Sequence, residues 1–260
     1  MPATHMMIGN VGSGKSELAA HMARKWPGAV VVNMDSIQAS IHGGEYGRYE
    51  FTMKPVYHAV EEVLITTALK ADLPVILDRT NMTARGRARF IEIAKQYTDE
   101  IKAYTFPDAN FDKCIRRRMK NPRGVPEIKW KEIISGLLKS YEPPTHEEGF
   151  TDFINIPQNY SHNFLAVDFD GTIVGHEFPD IGAPIQAVIK HMKEFWNRSL
   201  FHRIIIWSCR GGEYESEMRE WLIANKIPFD FINENPIISY GSHKIFANEY
   251  LDDRNITLKD

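Results

Sequence analysis

The octapeptide GNVGSGKS, Gly9 to Ser16, decides how the first half of this 260-residue chain is read. It follows the apolar run THMMI, residues 4–8, and opens a segment in which Leu18 and Met22 stand four apart, the spacing of one helical face. A glycine-rich turn between strand and helix, closed by Lys-Ser, is a cradle for phosphate. Glycine lets the backbone approach closely, several N–H groups converge on phosphate oxygens, and the helix N-terminus favours an anion. Gly9, Gly12, Ser13 and Gly14 shape the cradle. Lys15 is expected at the β- and γ-phosphates of ATP, and Ser16 on Mg²⁺.

Working outward, strand-like and helix-like segments alternate. AVVV at 29–32 and PVIL at 74–77 read as buried strands, 100–106 as another, and 55–71, 83–97 and 110–120 as helices. Such alternation predicts parallel strands joined by helical crossovers. Asp35 and Asp78 follow apolar runs, at the strand ends where ligands collect in open α/β sheets. Asp35 suits a general base beside an attacking hydroxyl; it equally suits the cap of a helix starting near Ser36. Asp78 either supports Mg²⁺ through water or bonds Arg79, Thr80 or Asn81 to build a turn. The run DKCIRRRMKNPRGVP, residues 112–126, looks like a mobile lid, with Arg116 and Arg123 as candidates for the charge of a transferring phosphoryl group. Arg117 and Arg118 cannot face the same way as Arg116 on one helix.

Composition shifts near Tyr141 into Pro, Asn and Glu, read as a linker with one stray strand at most. The α/β pattern then restarts, with strands at 164–168, 203–207 and 248–251 and helices at 184–196 and 213–225. The first of these strands leads into Asp168-Phe-Asp170-Gly171-Thr172. A carboxylate at a strand end can attack phosphorus, and a second two residues on returns to the same side, where it can protonate a leaving group and later activate water. Ser208 and Arg210 follow the next strand, Lys244 precedes the last, and Asp252-Asp253 ends it. Ser208 and Arg210 suit a transferring phosphate, Lys244 an aspartyl-phosphate, and the acidic pair Mg²⁺, with Asp168 and Asp170 as further expected ligands. An EF-hand loop is excluded because its glycine stands sixth, whereas here it is fourth. A cysteine phosphatase is excluded because Cys209 and Arg210 are adjacent, leaving no phosphate loop between them.

The formal net charge of −3 argues against a general polyanion binder, but eight cations fall between Lys113 and Lys131 with Glu127 as the only acid among them, and Arg85, Arg87 and Arg89 form a second cluster. Such clusters are either polynucleotide contacts or solvated helix faces. No apolar run approaches the ~20 residues that cross a bilayer, and two cysteines make no disulfide framework. A cytoplasmic protein that contacts no membrane is expected.

The second set of motifs resembles the haloacid-dehalogenase-like (HAD-like) phosphatases, and the whole chain resembles the phage-type polynucleotide kinase–3′-phosphatases. The resemblance implies a two-domain α/β architecture. A kinase with a P-loop NTPase-type parallel sheet and an Arg-rich lid occupies 1–142, a linker 143–162, and a compact HAD-like Rossmannoid phosphatase 163–260. It implies phosphorylation of 5′-hydroxyl ends of DNA or RNA, removal of 3′-phosphate and often 2′,3′-cyclic phosphate, and a ligase acting downstream in a phage or bacterial host cytoplasm. A homo-oligomer is compatible with it. It implies Asp35 as base, Lys15 and an arginine of the 116–123 lid on the triphosphate, Asp168 as nucleophile and Asp170 as acid–base. The family's arginine three residues after the base is Gln38 here. That departure leaves room for a small-molecule kinase, acting on a nucleoside or sugar, fused to a nucleotidase.

Overall fold

A computed structural model describes residues 2–45, 47–106, 110–157, 162–238 and 244–254. The chain divides into two compact units, Met1–Asn159 and Tyr160–Asp260, each with its own parallel sheet.

In the first unit, β1 (Thr4–Ile8) is buried at every position, as a central strand covered on both faces must be. The unit continues through α1 (Lys15–Lys25), β2 (Val30–Asn33), α2 (Met34–Ile41), α3 (Lys54–Lys70), β3 (Val75–Asp78), α4 (Ala84–Ala94) and β4 (Ile101–Thr105). It then runs through α5 (Phe111–Met119) and α6 (Glu127–Lys139) to β5 (Asp152–Asn155). The sheet order is β2-β3-β1-β4-β5, all parallel, with Met6 beside Leu77 and Ala103. Met6, Ile8, Val32, Leu77 and Ile101 from the strands pack with Ile65, Phe90 and Ile91 from the helices.

Two features depart from the sequence expectation. Residues 143–157, read as linker with one stray strand at most, belong to the first unit, and that strand is part of its sheet: β5 pairs with β4 from Lys102↔Asp152 to Thr105↔Asn155. The segment is polar because this edge strand is only half-covered, so it lacks the apolar run of a central strand. Of the other expected linker positions, 158–161 lie outside the described residues, and His162 is buried in the second unit. The second departure is α6, hidden by the turn residues ahead of it and by a single fully buried side chain, Ile134.

The second unit holds β6 (Asn163–Asp168), α7 (Gln186–Arg198), β7 (His202–Trp207), α8 (Glu213–Ala224), β8 (Phe231–Ile232) and β9 (Glu249–Leu251). Its sheet order is β8-β7-β6-β9, again all parallel. On α7, Ile189, Met192, Phe195 and Trp196 recur at helical spacing and face a core of Leu165, Val167, Ile204 and Ile206. Because all strands run one way, β6, β7 and β9 deliver their C-terminal residues to one edge. None of the helices among the described residues is long and apolar enough to cross a membrane.

Candidate active sites

The loop from Gly9 to Gly14 joins central strand β1 to α1. Gly12 has φ +76°, and a Cβ there would sit 2.4 Å from the Cys114 carbonyl oxygen, so α5 packs directly on the loop. Asn10 Nδ2 donates to Ile134 O at 2.9 Å, tying the loop to α6 as well. Helix α1 is preceded by its cap residue Gly14, φ 104°, and no side chain caps its first turn, which leaves those N–H groups aimed at the loop. Lys15 is buried; its Nζ donates to Asn10 O at 2.5 Å and to Ser13 Oγ at 3.3 Å. Burial pulls its pKa down to about 8, Arg118 pulling the same way and Asp78 and Cys114 opposing. Ser16 is exposed in the first turn of α1.

Asp35 is the second residue of α2, and the cap of that helix is Asn33, whose Oδ1 accepts from Ser36 N at 3.0 Å. The capping alternative for Asp35 therefore falls to Asn33. Asp35 instead carries an ion pair with Arg123. Asn33 also acts through its other side-chain atom, Nδ2, which donates to Asp78 Oδ2 at 2.8 Å. Asp78 is buried and bonded to Asn33 across the β2–β3 register, not to the turn that follows it. Gln38 is buried on α2.

The lid arginines are arranged differently from the expectation. Arg116 is exposed. Arg117 reaches the phosphate loop, with NH1 donating to Ser13 O at 3.1 Å. Arg118 stacks on Trp130 at 4.6 Å, and burial, with Arg123 adding and Asp35 opposing, lowers its pKa. Arg123, expected at the transferring phosphoryl group, is ion-paired with the carboxylate of Asp35. The reason is helical phase: α5 buries Cys114 and Ile115, which turns Arg116 outward, Arg117 to the loop and Arg118 to Trp130 of α6.

The cluster Arg85, Arg87 and Arg89 is not a polyanion patch. Arg85 is exposed. Arg87 is fully buried and grips both Glu148 oxygens at 2.7 Å. Arg89 pairs with buried Glu61 at 3.4 Å, alongside Arg79 at 2.8 Å.

In the second unit, the carboxylate oxygens of Asp168, Asp252 and Asp253 lie within 4.8 Å of one another. Burial pushes Asp168 up to about 6; bonds from Thr172 and the Phe169 backbone oppose this, and Asp252 and Asp253 reinforce it. Thr172 holds the group together: its Oγ1 donates to Asp168 Oδ2 at 3.1 Å and accepts from Asp253 N at 2.9 Å. Gly171, φ 92°, passes so close that a Cβ would lie 2.4 Å from Asp253 Oδ2. Asp170, also expected as a metal ligand, lies outside that carboxylate group. Both its oxygens accept from Arg210, at 2.8 Å from Nε and 2.6 Å from NH2, and Arg210 is buried. Ser208 Oγ accepts from Arg210 N at 3.1 Å, and Ser208 N donates to Asn233 Oδ1 at 2.8 Å. Lys244 is exposed, with Nζ 5.4 Å from the centroid of the Tyr250 ring.

Sequence reasoning missed Asn10 and Asn33, and it named Arg117 only as one of the lid arginines without giving it a place. Asn33 carried a signal, a cap residue directly ahead of MDSI; the other two act through tertiary contacts that no local pattern marks.

A parallel sheet of order β2-β3-β1-β4-β5, with a glycine-rich loop leaving its central strand for a helix, defines the first unit as a P-loop α/β domain. The chain belongs to the AAA-domain family (AAA_33), whose model matches residues 5–144. Over 94 residues it is 30% identical to the bifunctional polynucleotide phosphatase/kinase of Schizosaccharomyces pombe; the match takes in 35% of this chain and 22% of that protein. The chain thus spans about a fifth of the length of this curated relative. It is similar over 98% of its length, at 20% identity and a TM-score of 0.47, to a chain of the Pnkp1/Rnl/Hen1 RNA repair complex, of which it covers 90%. Over 38% of its length it is 35% identical, with a TM-score of 0.33, to a conserved protein from Bacteroides thetaiotaomicron, of which it covers 84%.

Proposed function

We propose that the chain heals nucleic-acid ends through two opposed phosphate chemistries. Its first unit transfers the γ-phosphoryl group of ATP to a 5′-hydroxyl of DNA or RNA. Its second, a HAD-like phosphatase, removes a 3′-phosphate through an aspartyl-phosphate on Asp168. The observation that carries this is the presence, in one chain, of a P-loop next to the Asp35–Arg123 pair and of a separate three-carboxylate site at the end of a second parallel sheet.

The P-loop fits a triphosphate. The first turn of α1 lacks a side-chain cap, and the buried Lys15 ammonium, its pKa lowered to about 8, regains its charge preference beside phosphate oxygens. Asp35 takes the proton of the attacking hydroxyl. Arg123, released from Asp35 as the acceptor arrives, and Arg117, already on the loop, meet the charge that develops on the γ-oxygens. Ser16 is placed to share Mg²⁺ with the phosphates.

Asp168, Asp252 and Asp253 fit a divalent cation: all donors are hard oxygens, and a cation would offset both the burial that chiefly raises Asp168 and the smaller push from its two acidic neighbours. Such an ion, when bound, neutralises the phosphate that Asp168 approaches. The Asp168 carboxylate oxygen forms a bond to phosphorus as the ester P–O bond breaks, and Asp170, oriented by Arg210, protonates the leaving oxygen. Asp170 then takes a proton from the water that attacks phosphorus and frees Asp168. The product ends, 5′-phosphate and 3′-hydroxyl, are those a ligase joins.

The test uses one oligonucleotide bearing a 5′-hydroxyl and a 3′-phosphate, with ATP and Mg²⁺, and reads both ends by mass. The expected result is gain at the 5′ end and loss at the 3′ end. Lys15→Ala abolishes only the gain, and Asp168→Asn only the loss. If neither end changes while free nucleosides or sugars are phosphorylated, the polynucleotide reading is overturned in favour of a small-molecule kinase.

A further inference from the structure

Two large rings, one of them against the Arg210 guanidinium that holds Asp170, remain in solvent although the second unit has an apolar core. Phe178, in the loop between β6 and α7, is 53% exposed, and Tyr214, in the first turn of α8, is 42% exposed. They come from different segments, yet their rings meet edge to face with centroids 5.2 Å apart. An edge-to-face pair of exposed rings keeps ring surface open to a third planar group.

Their position is fixed by the residue that holds Asp170. The Arg210 guanidinium lies 5.2 Å from the centroid of Phe178 and 5.2 Å from that of buried Phe169. Besides its two bonds to Asp170, it donates to Pro179 O at 3.0 Å and to Asp180 O at 2.8 Å. Four of its five N–H groups are thus engaged, and the segment carrying Phe178 cannot shift without disturbing the Asp170 clamp. The exposed Phe178 ring, with Tyr214 against it, thus stands next to the arginine that orients Asp170, the group assigned to protonate the leaving oxygen. Trp207, in register with Asp168 on the neighbouring strand, is also exposed.

We propose that Phe178 and Tyr214 form a stacking subsite for the nucleobase of the nucleotide whose phosphate Asp168 attacks. The inference rests on the phosphatase reading given above and sharpens it. The second unit selects phosphate esters with a planar aromatic base on the leaving group over esters of simple polyols. Stacking reads the face every base possesses, so the selection is for nucleotides as a class and not for one sequence.

The full chain, with Mg²⁺, is assayed on a nucleoside 3′-monophosphate and on β-glycerophosphate. For Phe178→Ala and Tyr214→Ala, the ratio of kcat/KM between the two substrates falls about tenfold, through KM of the nucleotide, as expected for one lost stacking contact. Phe178→Trp retains the ratio. Phe178→Leu, which keeps apolar volume in the loop, loses it, so the readout survives if the alanine variant misfolds. Equal losses on both substrates, or an unchanged ratio, overturn the subsite and leave the rings as a brace for the loop. A folded wild-type chain that hydrolyses neither ester overturns the phosphatase reading itself, and the subsite with it.

Discussion

Arg116, Arg117 and Arg118 are three identical neighbours with three different surroundings: solvent, the phosphate loop, and the face of Trp130. End-labelling rates will separate them from Arg123. Arg123→Ala is expected to slow 5′-phosphorylation by about 10²-fold, the scale on which a group stabilising transition-state charge acts. Arg116→Ala stays within about twofold at moderate salt. Asp168 offers a second test, on stability. Its folded pKa of about 6 stands above the ordinary 3.8, so the protonated form is favoured by folding. Its stabilising contribution is full below about pH 4 and is lost as pH rises through 6. In chelator-containing buffer, Asp168→Asn, which does not titrate, should match wild type near pH 4 and be more stable above pH 6. The gain is on the order of 1 kcal/mol, since the half-buried carboxylate is partly screened. A thermal melt at each pH checks it; a gain independent of pH contradicts the assignment.

At the scale of elements, the segment after α6 is held down by side chains. A capping box at Thr145 and Glu148 closes a single 3-10 turn, His146–Glu148. The same Glu148 receives Arg87 from α4, which also donates to the carbonyls of Asn81 and Glu142. β5 follows directly. Removing Arg87 strands Glu148 and two carbonyls, so Arg87→Met should cost about 3 kcal/mol, read as a lower urea midpoint for the first unit. A loss under 1 kcal/mol would show the clamp to be dispensable. Strand β5 could be read only as a stray strand, not as part of the first sheet, because its residues are half-exposed and its pairing partner, β4, lies some fifty residues back. Strands β1 and β3, buried on both sides, could be read from their apolar runs alone.

At the scale of the molecule, each unit has its own sheet and its own apolar cluster, one built on Met6, Leu77 and Ile101, the other on Val167, Phe195 and Ile206. Calorimetry is expected to resolve two transitions. ATP with Mg²⁺ should raise one and Asp168→Asn at pH 7 the other; a single transition moved by both would mean that the units unfold as one.

The chain's own order of residues determined where the candidate sites lie. GNVGSGKS between an apolar strand and a helix, and Asp-x-Asp, Ser and Asp-Asp after three later strands, are local patterns whose backbone demands are met within a few residues. The tertiary structure alone decided which of those residues meet. It put Asn33 on Asp78, Arg123 on Asp35 and Arg210 on Asp170, and it gathered Asp252 and Asp253 around Asp168 while leaving Asp170 outside. The physical reason is one of range. A helix phase or a strand end fixes the direction of a side chain, but the opposite charge or open donor it meets comes from another element. In these pairs that partner stands 40 to 88 residues away, at a distance set only when parallel strands bring their ends to one edge.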